Sequence, residues 1–223
     1  MRFRLDFLTT KKELPIEYRK SVMSFIKKYT EQANESIYKE YYDSCKKKNF
    51  SFAAHIPNLI INKDKILKED FTFSILFTTS DIKLYYFFIN AFQLAKYKPF
   101  KLENDNQMVL THIQEINEPK IMQTVVVFKT KTPVCILKHE KGKTDVYYTS
   151  KDNAFLKILK EKYNIEFFDI KTKKVVVKHQ GLTFETTSGI FMLKGNIKDL
   201  TKVYENGLGN RTGQGFGLLN LLS

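Results

Sequence analysis

The sequence is poor in the residues that build disulfide frameworks and metal centres. It contains two cysteines, Cys45 and Cys135, which are far apart and in no Cys-x-x-Cys or Cys/His spacing. The histidines are equally scattered, at His55, His112, His139 and His179. Neither a disulfide framework nor a zinc site is therefore indicated, and we expect a protein without a metal or other cofactor.

Long apolar runs are also missing. No stretch of the chain approaches the roughly 18 consecutive apolar residues that a membrane-spanning helix needs. The start of the chain, Met1-Arg-Phe-Arg-Leu-Asp-Phe, does not have the apolar region of a signal peptide. We therefore expect a cytoplasmic protein that does not partner with a membrane.

Glycine is scarce except near the end of the chain, where five of the nine glycines fall within residues 207–217. Glycine takes positive φ at little cost, so this clustering indicates a tight loop that contacts phosphate or packs closely against another element. Two common phosphate-binding motifs are excluded. No Lys-Ser or Lys-Thr follows as in a P-loop, and Thr212 and Leu218 stand where the dinucleotide fingerprint requires its third glycine.

Positive charge is abundant. Lys and Arg number 37 against 24 Asp and Glu, which gives a net charge of +13. A charge of this size favours a polyanionic partner such as nucleic acid, because each neutralised phosphate releases counterions. The alternative is charge that serves only solubility.

The order of elements predicts an α+β fold. Alternating and helical apolar spacings predict strand, helix, strands, helix and strand in each half of the chain. The predicted helices are 15–29, 35–43, 81–96, 150–163 and 197–206. Pro15 lies in the first turn of the first helix, Ser80 or Asp81 is the predicted N-cap of the third, and Ser150 is that of the fourth. This order fits two tandem ferredoxin-like domains with antiparallel sheets, which we place at residues 1–105 and 106–223.

Several segments resemble those of one protein family. The ending Asn206-Gly-Leu-Gly-Asn-Arg-Thr-Gly-Gln-Gly-Phe-Gly-Leu is similar to the C-terminal glycine-rich loop of the repeat-associated mysterious protein superfamily. Within it, the chain resembles the CRISPR-associated protein 6 family. Four further segments carry this resemblance, in order: Leu14-Pro-Ile-Glu-Tyr-Arg-Lys, Lys48-Asn-Phe-Ser-Phe, Phe71-Thr-Phe-Ser and Phe128-Lys-Thr-Lys-Thr-Pro-Val.

The resemblance implies a metal-independent endoribonuclease that cuts the repeats of precursor CRISPR RNA. In this chemistry the ribose 2′-OH attacks the adjacent phosphate, leaving a 2′,3′-cyclic phosphate and a 5′-OH. Repeat RNA is the implied partner. Association with other subunits of a CRISPR effector complex, or as a homodimer, stays open.

The chain departs from the family at the general base. Many members carry a histidine between the first helix and the second strand, whereas this chain has none before His55. Placing the Lys48 segment on the family strand puts Tyr42 near the expected position. Tyrosine with a pKa near 10 is a poor base unless neighbouring lysines lower that pKa. The candidate catalytic residues are Tyr42, Lys28, Lys48, Arg19 and Tyr38.

Other residues are candidates for RNA contact. The glycine-rich loop can offer backbone N–H groups, or it can merely pack between sheets, and Lys46 and Lys47 can touch phosphate without chemistry. The set is Gly207, Gly209, Arg211, Gly213, Gly215, Gly217, Lys202, Lys46 and Lys47. His55 can be the displaced histidine of the family, but its place in an apolar strand, between Ala54 and Ile56, favours a structural histidine with satisfied hydrogen bonds.

Two further functions compete with the endoribonuclease. The first is an inactive, repeat-binding relative that serves in an effector complex, which the missing histidine favours. The second is an unrelated basic nucleic-acid protein, which would make the ordered family segments a coincidence.

Overall fold

The computed structural model describes residues 1–42, 48–139 and 144–222. Cys45, Lys46 and Lys47 lie outside the described residues. The chain forms two compact units, one of Met1–Lys48 with Ala54–Asn117 and one of Asn49–Ala53 with Glu118–Ser223. The short segment of residues 49–53 therefore belongs with the second unit.

Five α-helices and fourteen strands occur in the described residues. The helices are α1 (Tyr18–Ala33), α2 (Glu35–Tyr42), α3 (Ile82–Ala95), α4 (Asn153–Tyr163) and α5 (Ile197–Asn206). The strands up to residue 116 are β1 (Arg2–Thr9), β2 (Glu13–Pro15), β3 (Phe50–His55), β4 (Ile60–Asn62), β5 (Lys65–Leu67), β6 (Thr72–Thr79), β7 (Pro99–Lys101) and β8 (Gln107–Ile116). The remaining strands are β9 (Val125–Thr130), β10 (Ile136–Lys138), β11 (Val146–Tyr148), β12 (Glu166–His179), β13 (Leu182–Lys194) and β14 (Leu219–Leu221).

The first unit is built on an antiparallel sheet with the order β6-β1-β8-β7, and the last two residues of β3 belong to this unit. The sequence order β1, α1, β3, β6, α3, β8 is that of a ferredoxin-like βαββαβ unit. Its core is rich in phenylalanine: Phe3 stacks on Phe77 with ring centroids 4.9 Å apart, and Phe7 meets Phe25 edge-on at 5.3 Å. A small additional sheet has the order β2-β5-β4.

The second unit repeats the same arrangement. Its antiparallel sheet has the order β12-β13-β9-β14, and α4 and α5 occupy the places of the two ferredoxin-like helices. Phe128, Phe155 and Phe191 are fully buried in its main core. The predicted α+β class with antiparallel sheets in two tandem ferredoxin-like units is confirmed.

Most predicted helices form, with two corrections at their ends. Pro15 ends β2 and lies outside α1, which begins at Tyr18. Asp152, not Ser150, precedes α4 as its N-cap residue, because the Asp152 carboxylate accepts from the Thr149 N–H at 2.6 Å and closes the turn before the helix. Of the two predicted caps of α3, Ser80 and Asp81, it is Asp81 that caps the helix and accepts from the N–H groups of Lys83 and Leu84.

No helix within the described ranges is long and apolar enough to cross a membrane. Over the same ranges, no group of three or more His, Cys, Asp or Glu side chains is arranged to hold a metal ion.

Candidate nucleic-acid interface

The first candidate site lies where α1 turns into α2. Asn34 joins the two helices: its N–H donates to the Thr30 carbonyl and ends α1, and its side-chain oxygen accepts from the Ile37 N–H at 3.0 Å. One residue thus serves as the C-cap of α1 and the N-terminal cap of α2. This corner brings the end of α2 to the last turns of α1.

Tyr42 is the centre of a basic and aromatic cluster on this corner. The Nζ atoms of Lys27 and Lys48 lie 5.5 and 5.4 Å from the centroid of the Tyr42 ring. Tyr38, one turn earlier on α2, stacks on Tyr42 with centroids 4.7 Å apart. Both distances from Nζ to the ring are within the range of cation–π attraction. We call these four residues, Lys27, Tyr38, Tyr42 and Lys48, the tyrosine–lysine cluster.

The environment of Tyr42 keeps its phenol protonated. Burial of the hydroxyl raises its pKa above the ordinary tyrosine value, and the neighbouring Tyr38 raises it further. A hydrogen bond with the Thr30 side chain acts in the opposite direction but does not outweigh burial. The sequence had left open that nearby lysines lower this pKa, and the structure gives the opposite direction because desolvation disfavours the phenolate.

Two of the predicted catalytic residues lie elsewhere. The Nζ of Lys28 is over the rings of Tyr29 and Phe100, at 5.2 and 5.6 Å. Arg19 is buried in the first turns of α1, with its guanidinium 4.9 Å from the Tyr18 ring centroid. Eight residues of helix place Arg19 roughly 12 Å from Lys27 along the axis. The structure therefore joins Lys48, Tyr38 and Tyr42 but not Lys28 or Arg19.

Lys27 is the residue that the sequence did not single out. Lys27 and Lys28 are both exposed near the end of α1, and helical spacing alone makes them equivalent. The difference arises from the direction in which the chain turns after Ala33, which puts Tyr42 beside Lys27. A cation–aromatic pairing between helices of this kind has no signal in the spacing of either helix.

The second candidate site is the glycine-rich loop, whose backbone is largely occupied within its own unit. The N–H groups of Leu208, Asn210 and Gly217 donate to the carbonyls of Gly217, Cys135 and Pro133 at 2.7–2.8 Å. The Gly209 N–H donates to the Tyr163 hydroxyl at 3.0 Å, and that hydroxyl donates back to the Gly209 carbonyl at 2.8 Å. These N–H groups hold the loop in place and do not point to an external phosphate.

The glycines are needed because the loop packs without room for side chains. Gly207, Gly209, Gly215 and Gly217 all have positive φ. A Cβ on Gly217 would lie 1.9 Å from the Leu208 carbonyl oxygen, and one on Gly215 would lie 2.7 Å from the Phe52 ring. Gly213 is not one of these four glycines with positive φ. It is half-buried in the short 3-10 turn Thr212–Gln214.

Arg211 of the loop is held by side chains of the β10–β11 hairpin. Its guanidinium donates to the Asp145 carboxylate at 3.3 Å and to the Tyr147 hydroxyl at 3.0 Å. It also donates to Gln214 at 3.2 Å and lies 5.6 Å from the Phe184 ring centroid. With a side chain only 18% exposed, Arg211 joins two hairpins to the loop.

The remaining candidates are dispersed. Lys202 is exposed on α5. His55 is exposed at the end of β3 and lines a shallow groove of about 280 Å³ with Arg4 and Asp6. A buried histidine is found instead at His179, whose Nε2 lies 3.1 Å from the Gln214 side-chain oxygen.

Comparison with known proteins agrees with this architecture. A model of the C-terminal region of the CRISPR-associated protein Cas6 matches residues 116–221. No curated protein sequence matches the chain significantly. The fold is similar to that of the product of a Cas6-related gene from Pyrococcus furiosus, with a TM-score of 0.84 and 19% identity over 100% of this chain and 98% of that one.

Two further solved structures are similar over the whole chain. One is described as an RAMP protein binding different RNA substrates, with a TM-score of 0.83, 20% identity and full coverage of both chains. The other is a Cas6 product complex, with a TM-score of 0.71, 16% identity and 99% coverage of each chain. At these identities the structures show a shared fold, and residues 116–221 match the Cas6 C-terminal model in sequence. The predicted resemblance is confirmed: residues 116–221 match the Cas6 C-terminal family model, and the fold of the whole chain is similar to that of solved Cas6 structures.

Proposed function

We propose that this protein binds CRISPR repeat RNA and cleaves it without a metal ion. The proposal is supported by the match of residues 116–221 to the Cas6 C-terminal model, by the net charge of +13, and by similar structures that are described as an RNA-binding protein and as a product complex. The observation that carries it is the tyrosine–lysine cluster, where two ammonium groups flank one phenol.

The cluster combines what binding and cleavage both need. Lys27 and Lys48 can neutralise a phosphate of the RNA backbone, and the exposed parts of the tyrosine rings can stack against bases. During cleavage the same ammonium groups would stabilise the negative charge that develops on the phosphate oxygens. This role requires no change of protonation in either lysine.

Tyr42 suits the role of proton donor. The 2′-OH attacks phosphorus, its proton passes to water, and the bond from phosphorus to the leaving 5′-oxygen breaks as that oxygen takes a proton from the Tyr42 hydroxyl. The raised pKa keeps this hydroxyl protonated at neutral pH, which a donor requires and a general base does not tolerate. The products are a 2′,3′-cyclic phosphate and a 5′-OH.

A second candidate function is repeat-RNA binding without cleavage. It is favoured by the same raised pKa of Tyr42, which removes this phenol as a base. The side chains of Lys27, Lys48 and Tyr38 that contact the ring bind or stack and do not supply a general base. A subunit that only holds RNA in an effector complex would need the cluster to bind RNA but not to transfer a proton.

Cleavage separates the two functions. Labelled repeat RNA is incubated with the protein in EDTA, beside RNA with a single 2′-deoxy nucleotide at the cut site. A single cut that the 2′-deoxy substitution abolishes supports the endoribonuclease, and tight binding without a cut supports the RNA-holding subunit. Failure to bind repeat RNA would contradict both.

Substitutions in the tyrosine–lysine cluster test whether it carries RNA binding and cleavage. Tyr42→Phe should slow the cut by about 10²-fold or more, in the usual range for a lost general acid, with little change in binding. Lys27→Ala should weaken RNA binding or slow the cut more than Lys28→Ala on the neighbouring position. Lys20→Ala, which removes an equal charge at the other end of α1, is the matched control. A larger effect of Lys28→Ala would indicate that RNA contacts the surface around Lys28, Tyr29 and Phe100 and not the tyrosine–lysine cluster.

A further inference from the structure

Helix α2 carries the tyrosines of the cluster, yet none of its eight residues is buried. A surface helix of this length is not stable by itself, because nucleation is costly and few intrahelical bonds compensate for it. Its position must therefore be set by individual side-chain contacts. The Asn34 cap holds its first turn, and the last turn needs a second attachment.

Tyr41 supplies that attachment. Its hydroxyl donates to Oδ2 of Asp81 at 3.2 Å. Oδ1 of Asp81 accepts from the backbone N–H groups of Lys83 and Leu84, at 2.9 and 3.2 Å. The carboxylate is thus held at the start of α3 by two backbone hydrogen bonds while its free oxygen receives the phenol.

The Asp81 carboxylate has a fixed position because α3 packs into the core of the first unit. Phe88 and Phe92 of α3 are 1% and 0% exposed. Burial and the Asp81 carboxylate raise the pKa of Tyr41 to about 12, so the phenol stays protonated and donates this bond throughout the neutral range.

Tyr41 and Tyr42 are consecutive, so their side chains leave α2 about 100° apart. Fixing one of them fixes the rotation of the helix about its axis and hence the direction of the other. With Tyr41 bound to α3, the Tyr42 ring lies within 5.5 Å of the Nζ atoms of Lys27 and Lys48. Without that bond, α2 can rotate and the ring leaves the two ammonium groups.

We propose that Tyr41 and Asp81 are positioning residues that hold α2 so that Tyr42 keeps the Lys27 and Lys48 ammonium groups together for RNA. This inference rests on the proposed RNA-binding function of the cluster. Neither residue needs to touch RNA. Their effect passes through the orientation of one helix.

The experiment measures repeat-RNA affinity over a series of salt concentrations for the full chain. Losing one phosphate contact on a single strand flattens the slope of log K against log salt by about 0.7. Lys48→Ala should show this change directly. Tyr41→Phe, which keeps the ring and loses only the hydroxyl, should flatten the slope in the same direction and raise Kd roughly three- to tenfold.

Matched variants separate the hydrogen bond from the cap. Asp81→Ser keeps an N-cap for α3 but is too short to reach Tyr41, so it should behave as Tyr41→Phe does. Asp81→Asn keeps both an N-cap oxygen and a polar partner and should restore the wild-type slope. Tyr86→Phe, which loses an exposed hydroxyl on α3, should bind as the wild type does.

The outcomes distinguish the two proposals. A flattened slope in Lys48→Ala with a wild-type slope in Tyr41→Phe overturns the positioning role alone. Wild-type slopes in both Lys27→Ala and Lys48→Ala overturn the RNA role of the cluster, and the positioning role with it. Because part of the effect of Tyr41 passes through Lys48, Tyr41→Phe should cost less affinity in the Lys48→Ala background than in the wild type, and full additivity of their effects also counts against positioning.

Discussion

At the scale of residues, the structure shows that similar side chains have different tasks. Lys27 and Lys28 are neighbours, yet only Lys27 contacts the Tyr42 ring. Arg211 has a side chain suited to phosphate but uses it on Asp145 and Tyr147. Charge and residue type in the sequence predicted that such side chains are present. They did not predict the contact partners, because those partners lie in distant parts of the chain.

Replacing Arg211 should affect stability more than RNA binding. Arg211→Ala leaves the Asp145 carboxylate and the Tyr147 hydroxyl without this donor, so we expect a loss of about 1–3 kcal/mol in the free energy of unfolding. Urea unfolding measures the loss, and Lys198→Ala, an exposed charge on α5, should stay within about 0.5 kcal/mol of the wild type. If instead RNA affinity falls while stability is unchanged, Arg211 is a phosphate contact.

Lys68 should make stability depend on pH in the alkaline range. Its side chain is 6% exposed and donates to Thr9 at 2.7 Å. Burial lowers its pKa to about 8 in the folded protein, while the unfolded chain keeps the ordinary lysine value. Between pH 8 and the ordinary lysine pKa, Lys68 is more protonated in the unfolded chain than in the folded protein. The free energy of unfolding should therefore rise with pH over this range, by on the order of 1–3 kcal/mol.

The comparison variant is Lys68→Met, which keeps an apolar side chain of similar length. The difference in unfolding free energy between wild type and Lys68→Met, measured in urea from pH 7 to pH 10, should grow in favour of the wild type as pH rises. The subtraction removes the tyrosines, which titrate in both proteins. A flat difference would mean that Lys68 has an ordinary pKa in the folded state.

At the scale of elements, helices and strands with regular apolar spacing were predictable from the sequence, whereas segments without such spacing were not. The helical spacing of Val22, Phe25 and Tyr29 predicted α1, and the alternation in Phe71-Thr-Phe-Ser predicted β6. Strand β8 (Gln107–Ile116) was missed although Met108 and Leu110 alternate inward, because polar and charged residues fill its second half. The function of the glycine-rich loop could not be decided from sequence, since packing and phosphate binding both require bare backbone.

The loop glycines should be required for folding. Gly217→Ala places a Cβ 1.9 Å from the Leu208 carbonyl oxygen at a φ of +68°, so it should lose about 3 kcal/mol or more of stability. Gly181→Ala is the matched control, because φ is +75° there and nothing lies within 4 Å of the added Cβ. It should cost about 1–2 kcal/mol, from backbone conformation alone. Equal losses in the two variants, measured by thermal unfolding, would contradict close packing of the loop.

At the scale of the whole molecule, composition and segment order predicted more than any single residue. The excess of 13 positive charges indicated a polyanionic partner, and the ordered segments indicated the family. The tandem ferredoxin-like arrangement followed from the order of strands and helices. The candidate site was less predictable, since its residues meet at the corner formed by Asn34 and near the hydrogen bond of Tyr41 with Asp81, which are 40 residues apart.

The net charge and the cluster predict two separable contributions to RNA affinity. Long-range attraction by a chain of charge +13 acts on any RNA, so repeat RNA and a scrambled RNA of the same length should give similar slopes of log K against log salt. A specific repeat-binding protein should nevertheless bind the repeat more tightly at every salt concentration, because base contacts change the intercept and not the number of phosphates neutralised. Filter-binding titrations from 50 mM to 500 mM salt would show two parallel lines. Coincident lines would indicate a basic protein that binds RNA without regard to sequence, and the specific part of the proposed function would then be wrong.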